Sequence, residues 1–187
     1  MITLPLPGFP VDLVSAAPGH TGAVCTYFAR NQAHLAPWEP LRPDGFYTPQ
    51  AVRRRLENAA AEADEGRSFQ FLLWDRDRDD MVGACNFTGI TRGVSQSCYL
   101  GYSLDALHQG NGLMTAALRR GIAFMFEQQA LHRIMAAYLP HNSPSERLLQ
   151  RLGFEREGYA RAYLKIAGCW QDHVLTALIA PGDLPDR

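Results

Sequence analysis

Residues His108 to Leu118 read HQGNGLMTAAL, two glycines around one asparagine and then a run of helix formers. That pattern can hold an anion. The first turn of a helix leaves backbone N–H groups without partners, and the macrodipole adds about half a positive charge there. Glycines permit a tight turn and let a ligand approach the backbone with no Cβ in the way. Phosphate and pyrophosphate are the usual guests of such a helix mouth. A tight turn without a ligand is the other reading of the same pair. Two specific phosphate motifs are excluded. No Gly-Lys-Ser/Thr follows, as a Walker loop requires, and Thr115 stands where a dinucleotide fingerprint needs glycine or alanine.

A second stretch, N142-S143-P144-S145-E146, reads as a helix start. Ser143 is the expected cap, Pro144 suits the first helical position, and Glu146 lies where a capping box places its acid. Metal chemistry is not expected. The cysteines Cys25, Cys85, Cys98 and Cys169 are dispersed, with no Cys-x-x-Cys pair, and the histidines lack ligand spacing. Free thiols in a reducing, cytoplasmic setting are expected.

The elements that must position these residues alternate between helix and strand. Strands are expected at 11–15, 68–75, 81–90, 97–104 and 132–140, and two more around the Ala167–Gly168 turn within 159–180. Helices are expected at 20–35, 49–66, 112–129 and 143–154, with a proline-broken loop at 36–49. The three central strands are joined by short polar stretches, which suits an antiparallel meander. Met114, Leu118, Ile122 and Met125 should form a core stripe, as should Phe69, Phe71 and Leu73. Arg53, Arg54 and Arg55 read as a solvated helix face. With 187 residues, 47% of them hydrophobic, and a net charge of −1, one domain over 1–187 is expected. The charge exerts no global pull on nucleic acid, so direct nucleic-acid binding is not expected. No apolar run approaches the roughly 20 residues that span a bilayer, and no signal peptide is read at the N-terminus.

The stretch Q109-G110-N111-G112-L113-M114 resembles the Gln/Arg-x-x-Gly-x-Gly/Ala loop of the GCN5-related N-acetyltransferases, with Met114 departing at the last position. Further stretches, GYSLDALHQGNGLM, HRIMAAYLPHN, RLGFEREGYA and WQDHVLTAL, resemble the ribosomal-protein-alanine branch of that family, the RimJ and RimL type. Upstream, PWEP fits the RimJ type. The resemblance runs from about His20 to the C-terminus. It implies an α/β acyltransferase fold, a twisted and mostly antiparallel mixed sheet flanked by helices. It implies that the amides of Gln109, Gly110, Asn111, Gly112, Leu113 and Met114 hold the pyrophosphate of acetyl-coenzyme A. Asn142 would bond the pantetheine arm, Ser145 would lie near the sulfur and protonate the departing thiolate, and Arg119 or Arg120, one turn into the helix after the loop, would meet a coenzyme phosphate. The strand segment Leu100, Gly101 and Tyr102 would line the coenzyme and hold the oxyanion through a backbone N–H.

The base is the open question. Some relatives carry an acid two places before the loop's His-Gln, where this chain has alanine, leaving Asp105 nearby. Glu39 and His141 are the other candidates. A protein α-amine, with a pKa of about 7.7–8.0, needs little help to become neutral, whereas lysine at about 10.4 needs much more. The expected activity is therefore acetylation of a protein N-terminus, the alanine of a ribosomal protein, by direct transfer. A small amine or amino-sugar acceptor, or a non-catalytic ribosome-associated protein, remains open at this stage. A monomer or homodimer would serve any of these.

Overall fold

The computed structural model describes residues 1–182. In chain order the elements are β1 (Thr3–Pro5), β2 (Val11–Ser15), α1 (Thr21–Leu35), α2 (Pro49–Asp64), β3 (Phe69–Asp75), β4 (Asp80–Thr91), β5 (Ser97–Leu104), α3 (Leu113–Glu127), β6 (Arg133–Tyr138), α4 (Ser143–Arg151), β7 (Glu155–Ile166) and β8 (Cys169–Ile179). The strands form one sheet ordered β1-β2-β3-β4-β5-β6-β8-β7. Every pairing is antiparallel except β5 with β6. The expected mixed, mostly antiparallel sheet is the one observed. β1 has no counterpart in the sequence reading, because three residues ending in proline carry too little alternation to read as a strand. β7 starts four residues earlier than expected, since EREG lacks the apolar residues by which an edge strand is noticed.

The sheet separates two cores. Phe69, Phe71 and Leu73 of β3 point to one face and meet Phe87, Leu118 and Met125, so the stripe on α3 is core as expected. Leu72 points the other way and joins Val24, Tyr27, Val52 and Leu56 beneath α1 and α2. This is the strand period of two acting on both faces of a covered sheet. Helix α3 lies close on the sheet at Gly121, where a Cβ would come 2.9 Å from the Phe87 ring.

One pairing shapes everything that follows. β5 and β6 are in register only from Ser97↔Arg133 to Tyr99↔Met135. β5 then continues to Leu104, still paired with β4 but no longer with β6. A strand paired on one side leaves alternate N–H and C=O groups on the other without ladder partners, and these line the gap.

Asp105, directly after β5, ties the sheet to α1. Its Oδ2 accepts from Arg30 Nε at 2.6 Å and Asn31 Nδ2 at 3.1 Å, and its Oδ1 accepts from the Leu107 N–H at 2.9 Å. Asn31 also accepts from the Ala106 N–H at 3.2 Å. Burial acts to raise the Asp105 carboxyl, but the Leu107 N–H, the Asn31 amide and the Arg30 guanidinium outweigh it and hold it below the usual value. A depressed folded-state pKa stabilises the fold above the unfolded value of about 3.9, and that contribution is lost as pH falls through the folded value. Asp105→Asn should therefore destabilise the protein by roughly 2 kcal/mol at neutral pH. The gap between it and wild type should narrow below about pH 4, the unfolded value. Urea midpoints at pH 7 and pH 3 measure both effects.

Candidate active site

The glycine stretch folds as a helix mouth. Gly110 has φ +82° and Gly112 φ +86°, and Gly112 is the N-cap of α3. A Cβ on either glycine would meet nothing within 4 Å. Backbone conformation demands glycine there, and the space beside it stays open to a guest. The helical ladder begins with the Ala116 N–H on the Gly112 carbonyl at 3.1 Å, so the amides before it point out of the N-terminus. One of these, on Leu113, is bonded by Asn111 Oδ1 at 3.0 Å. Asn111 thus shapes the loop from within, a side-chain role the sequence reading did not give it.

A second helix mouth faces the first. The cap of α4 is Asn142, not Ser143: its Oδ1 accepts from the Ser145 N–H at 3.1 Å. Ser143 and Pro144 are already in the first turn, and Glu146 accepts from the Tyr138 hydroxyl at 3.2 Å instead of closing a capping box. The shift arises because Asn and Ser are near-equal caps, and only the path of the incoming chain chooses between them. It leaves the Asn142 amide with Oδ1 committed to the helix and Nδ2 available to donate.

Between the two mouths and the free edge of β5 lies a cleft of about 710 Å³. Tyr102, Asn142 and Ser145 line it together with Gln109, Gly110, Asn111, Gly112, Leu113 and Met114. Burial pushes the Tyr102 phenol up to about 12, with the Ser145 side chain acting the other way. Leu100 is a buried core residue and Gly101 sits on the exposed side of β5, so neither is among the cleft's lining residues. Their strand borders the gap through its backbone.

The cations differ from expectation. Arg147 and Arg151 of α4 line the cleft, and Arg119 and Arg120 do not. Position one turn into α3 suggested the latter pair, but the cleft opens towards α4. Two histidines also border the cleft, His34 with no role read from the sequence and His108 expected only as part of the turn. His34 of α1 meets Gln109, with Nε2 3.1 Å from Gln109 Nε2, and His108 lines the cleft with a buried Nδ1 3.6 Å from Asp105 Oδ1. Isolated histidines carry no spacing signal that would have found them.

The three candidate bases stand in three environments. Asp105 is 2% exposed, bonded through both oxygens and held acidic, which fits it for tying α1 to the glycine loop rather than for taking protons. His141 stacks on Trp38 at 5.6 Å and is not among the lining residues. Glu39 lines the cleft. Its carbonyl accepts from the Ala167 N–H at 2.9 Å, which pins the 36–48 loop to the β7–β8 hairpin. Burial raises the Glu39 carboxyl above its usual value, against the opposing effects of Arg42 and Tyr47. A carboxylate moved towards neutral pH is a better base.

A phosphate-type helix mouth, a strand edge able to pair with amides, and a hydroxyl and a raised carboxylate on the same cleft suit the transfer of an acyl group from a long, phosphate-bearing donor. The chain belongs to the acetyltransferase (GNAT) domain family, whose model matches residues 13–155, and it is an N-acetyltransferase. It is 47% identical over 161 residues to the [Ribosomal protein uS5]-alanine N-acetyltransferase of Escherichia coli K12, spanning 86% of this chain and 83% of the relative. The structure of a ribosomal-protein-S5-alanine acetyltransferase from Vibrio fischeri superposes with a TM-score of 0.93 at 36% identity, over 99% of this chain and 100% of the other. Mycobacterium smegmatis RimJ, solved in complex with CoA-disulfide, gives 0.88 at 30% identity, over 99% and 88%. Among the described residues no helix is long and apolar enough to cross a membrane, and no cluster of three or more potential metal ligands occurs.

The helix mouth is tested at its second glycine. Gly112→Val combines strain at φ +86° with a side chain in the path of a ligand. Coenzyme A affinity by calorimetry should fall at least about tenfold, which is roughly the loss of one charge-assisted hydrogen bond. Unchanged affinity would place the phosphates elsewhere.

Proposed function

We propose that the protein transfers acetyl from acetyl-coenzyme A to the N-terminal alanine of a ribosomal protein. The observation that carries this is one cleft holding an open helix mouth, Ser145 and the raised carboxylate of Glu39. The likeness to the Escherichia coli uS5-alanine enzyme supports the choice of acceptor.

The cleft fits the donor in its parts. The amides of the 109–114 loop that Asn111 leaves open would hold pyrophosphate, and Arg147 and Arg151 would add positive charge. The free edge of β5 would pair with the amides of the pantetheine arm, and Asn142 Nδ2 would donate to one of its carbonyls. In the reaction the neutral amine bonds to the acetyl carbon and the carbon–sulfur bond breaks. A backbone N–H on β5 offers itself to the charge developing on the carbonyl oxygen. Ser145, which lines the cleft with Tyr102, supplies a proton to the departing sulfur and regains one from solvent, and the proton lost by the amine passes to Glu39, directly or through a water. Glu39 also offers a negative charge to a cationic N-terminus as it arrives.

The acceptor follows from the modest strength of this base. Neutralising an α-amine near pH 7.5 costs under about 1 kcal/mol, and neutralising lysine about 4. A peptide with a free N-terminal alanine and blocked lysine should be acetylated orders of magnitude faster than its mirror with a blocked N-terminus and free lysine. Glu39→Gln should weaken acceptor use while sparing coenzyme binding. Equal rates on the two peptides would point to a side-chain or small-amine acceptor instead. Separately, Ser145→Ala should lower turnover by about 10-fold or more with nearly unchanged coenzyme affinity, since general acid help is typically worth about 10²–10⁴ and water replaces part of it. Pre-steady-state acetyl transfer is the measurement, because it isolates the chemical step.

A further inference from the structure

The 36–48 loop borders two cavities. Its Trp38 and Glu39 face the acetyl-transfer cleft, and its Arg42 and Phe46 face a second pocket of about 350 Å³ between α1, α2 and the sheet. This second pocket has a basic end. Arg42 lies 4.6 Å and Arg55 3.7 Å from the centre of the Phe46 ring, and Arg55 Nη1 donates to the Phe46 carbonyl at 2.5 Å. Two guanidiniums on one ring repel each other, and burial together with Arg42 pulls Arg55 below its ordinary value. Among the described residues neither forms an ion pair with a carboxylate. Expected from sequence to be solvated like Arg53 and Arg54, Arg55 turns into the pocket instead.

Beyond the arginines the lining changes character. Asn58 comes from α2, and Gln70 and Asn86 stand opposite each other on β3 and β4. These amides can pair with peptide groups. Val24, Leu56, Leu72 and Met81 supply apolar surface. The lining carboxylate, Glu62, is seven residues beyond Arg55, about 10 Å along the helix, and faces Arg67 at 3.9 Å. The pocket is thus electrically polar, basic at the end nearest the loop that carries Glu39.

We propose that this pocket is a specificity site that takes an acidic side chain of the acceptor protein, its carboxylate on Arg42 and Arg55, downstream of the amine that enters the cleft. The proposal rests on the reading that the acceptor is a protein N-terminus. Planar guanidiniums suit a carboxylate bidentately, and charge-assisted bonds of this kind are the stronger ones.

Peptides beginning with alanine, each with one glutamate at the third to the eighth position, are compared with glutamine-matched controls. At one or two positions glutamate should lower the KM about tenfold against its control, the value of one charge-assisted hydrogen bond, with kcat little changed. Arg42→Gln and Arg55→Gln should erase the ratio between the paired peptides. Arg55→Lys should retain part of it, which separates charge from packing of the loop on Phe46. Equal KM values for every pair in the wild type, or a ratio that survives in both glutamine variants, would overturn the pocket while leaving N-terminal acetylation intact. An Nα-acetylated copy of the preferred acidic peptide, which cannot react, isolates the pocket from the chemistry. Fluorescence anisotropy should show it binding the wild type more tightly than Arg55→Gln. Equal binding to both would refute the site whichever amine is acetylated.

Discussion

The site exists because two parallel strands part company. β5 and β6 share a register for three residues, and β5 then runs on alone. Had the pairing continued, the outward N–H and C=O groups of residues 100–104, those not already paired with β4, would be consumed by the sheet. Separation instead sets an unpaired strand edge between two helix N-termini. All three carry backbone dipoles that want partners. A ligand with phosphates at one end and amides along its length satisfies them together, which is why the cleft needs few specialised side chains.

The two carboxylates near that cleft show how environment assigns a role. Asp105 accepts from a guanidinium, an amide and a backbone N–H, and its charge is so well met that taking a proton would cost those bonds. Glu39 is half-buried on a loop with less help from Arg42 and Tyr47 than burial takes away. One is suited to architecture, the other to proton transfer. Asp105 still serves the site, because the same network fixes the turn that leads into the glycine loop and the end of α1, where His34 meets Gln109.

The 36–48 loop is the other element with a double duty. It is joined to the β7–β8 hairpin through the Glu39 carbonyl and to α2 through Arg55 and Phe46. Anchored at both ends, it borders both cavities.

The amino-acid sequence by itself determined much of this. Glycines at 110 and 112 before a run of helix formers announce a helix mouth from local physics alone, since positive φ at both positions and open helical amides follow from a few adjacent residues. The core stripes on α3 and β3 were legible for the same reason, as periodicity along one element. The resemblance from His20 onward carried the fold and the acetyl-transfer chemistry. Tertiary structure alone decided matters that depend on residues far apart in the chain. It chose Asn142 over Ser143 as the cap, because the path out of β6 sets which residue precedes the first turn. It buried Asp105 under Arg30 and Asn31, some 75 positions away, while leaving Glu39 on the cleft. It put Arg147 and Arg151 on the cleft in place of Arg119 and Arg120, and it turned Arg55 inward onto Phe46. Charge, burial and pKa are properties of a neighbourhood, and a neighbourhood assembled from distant segments leaves no local pattern to read.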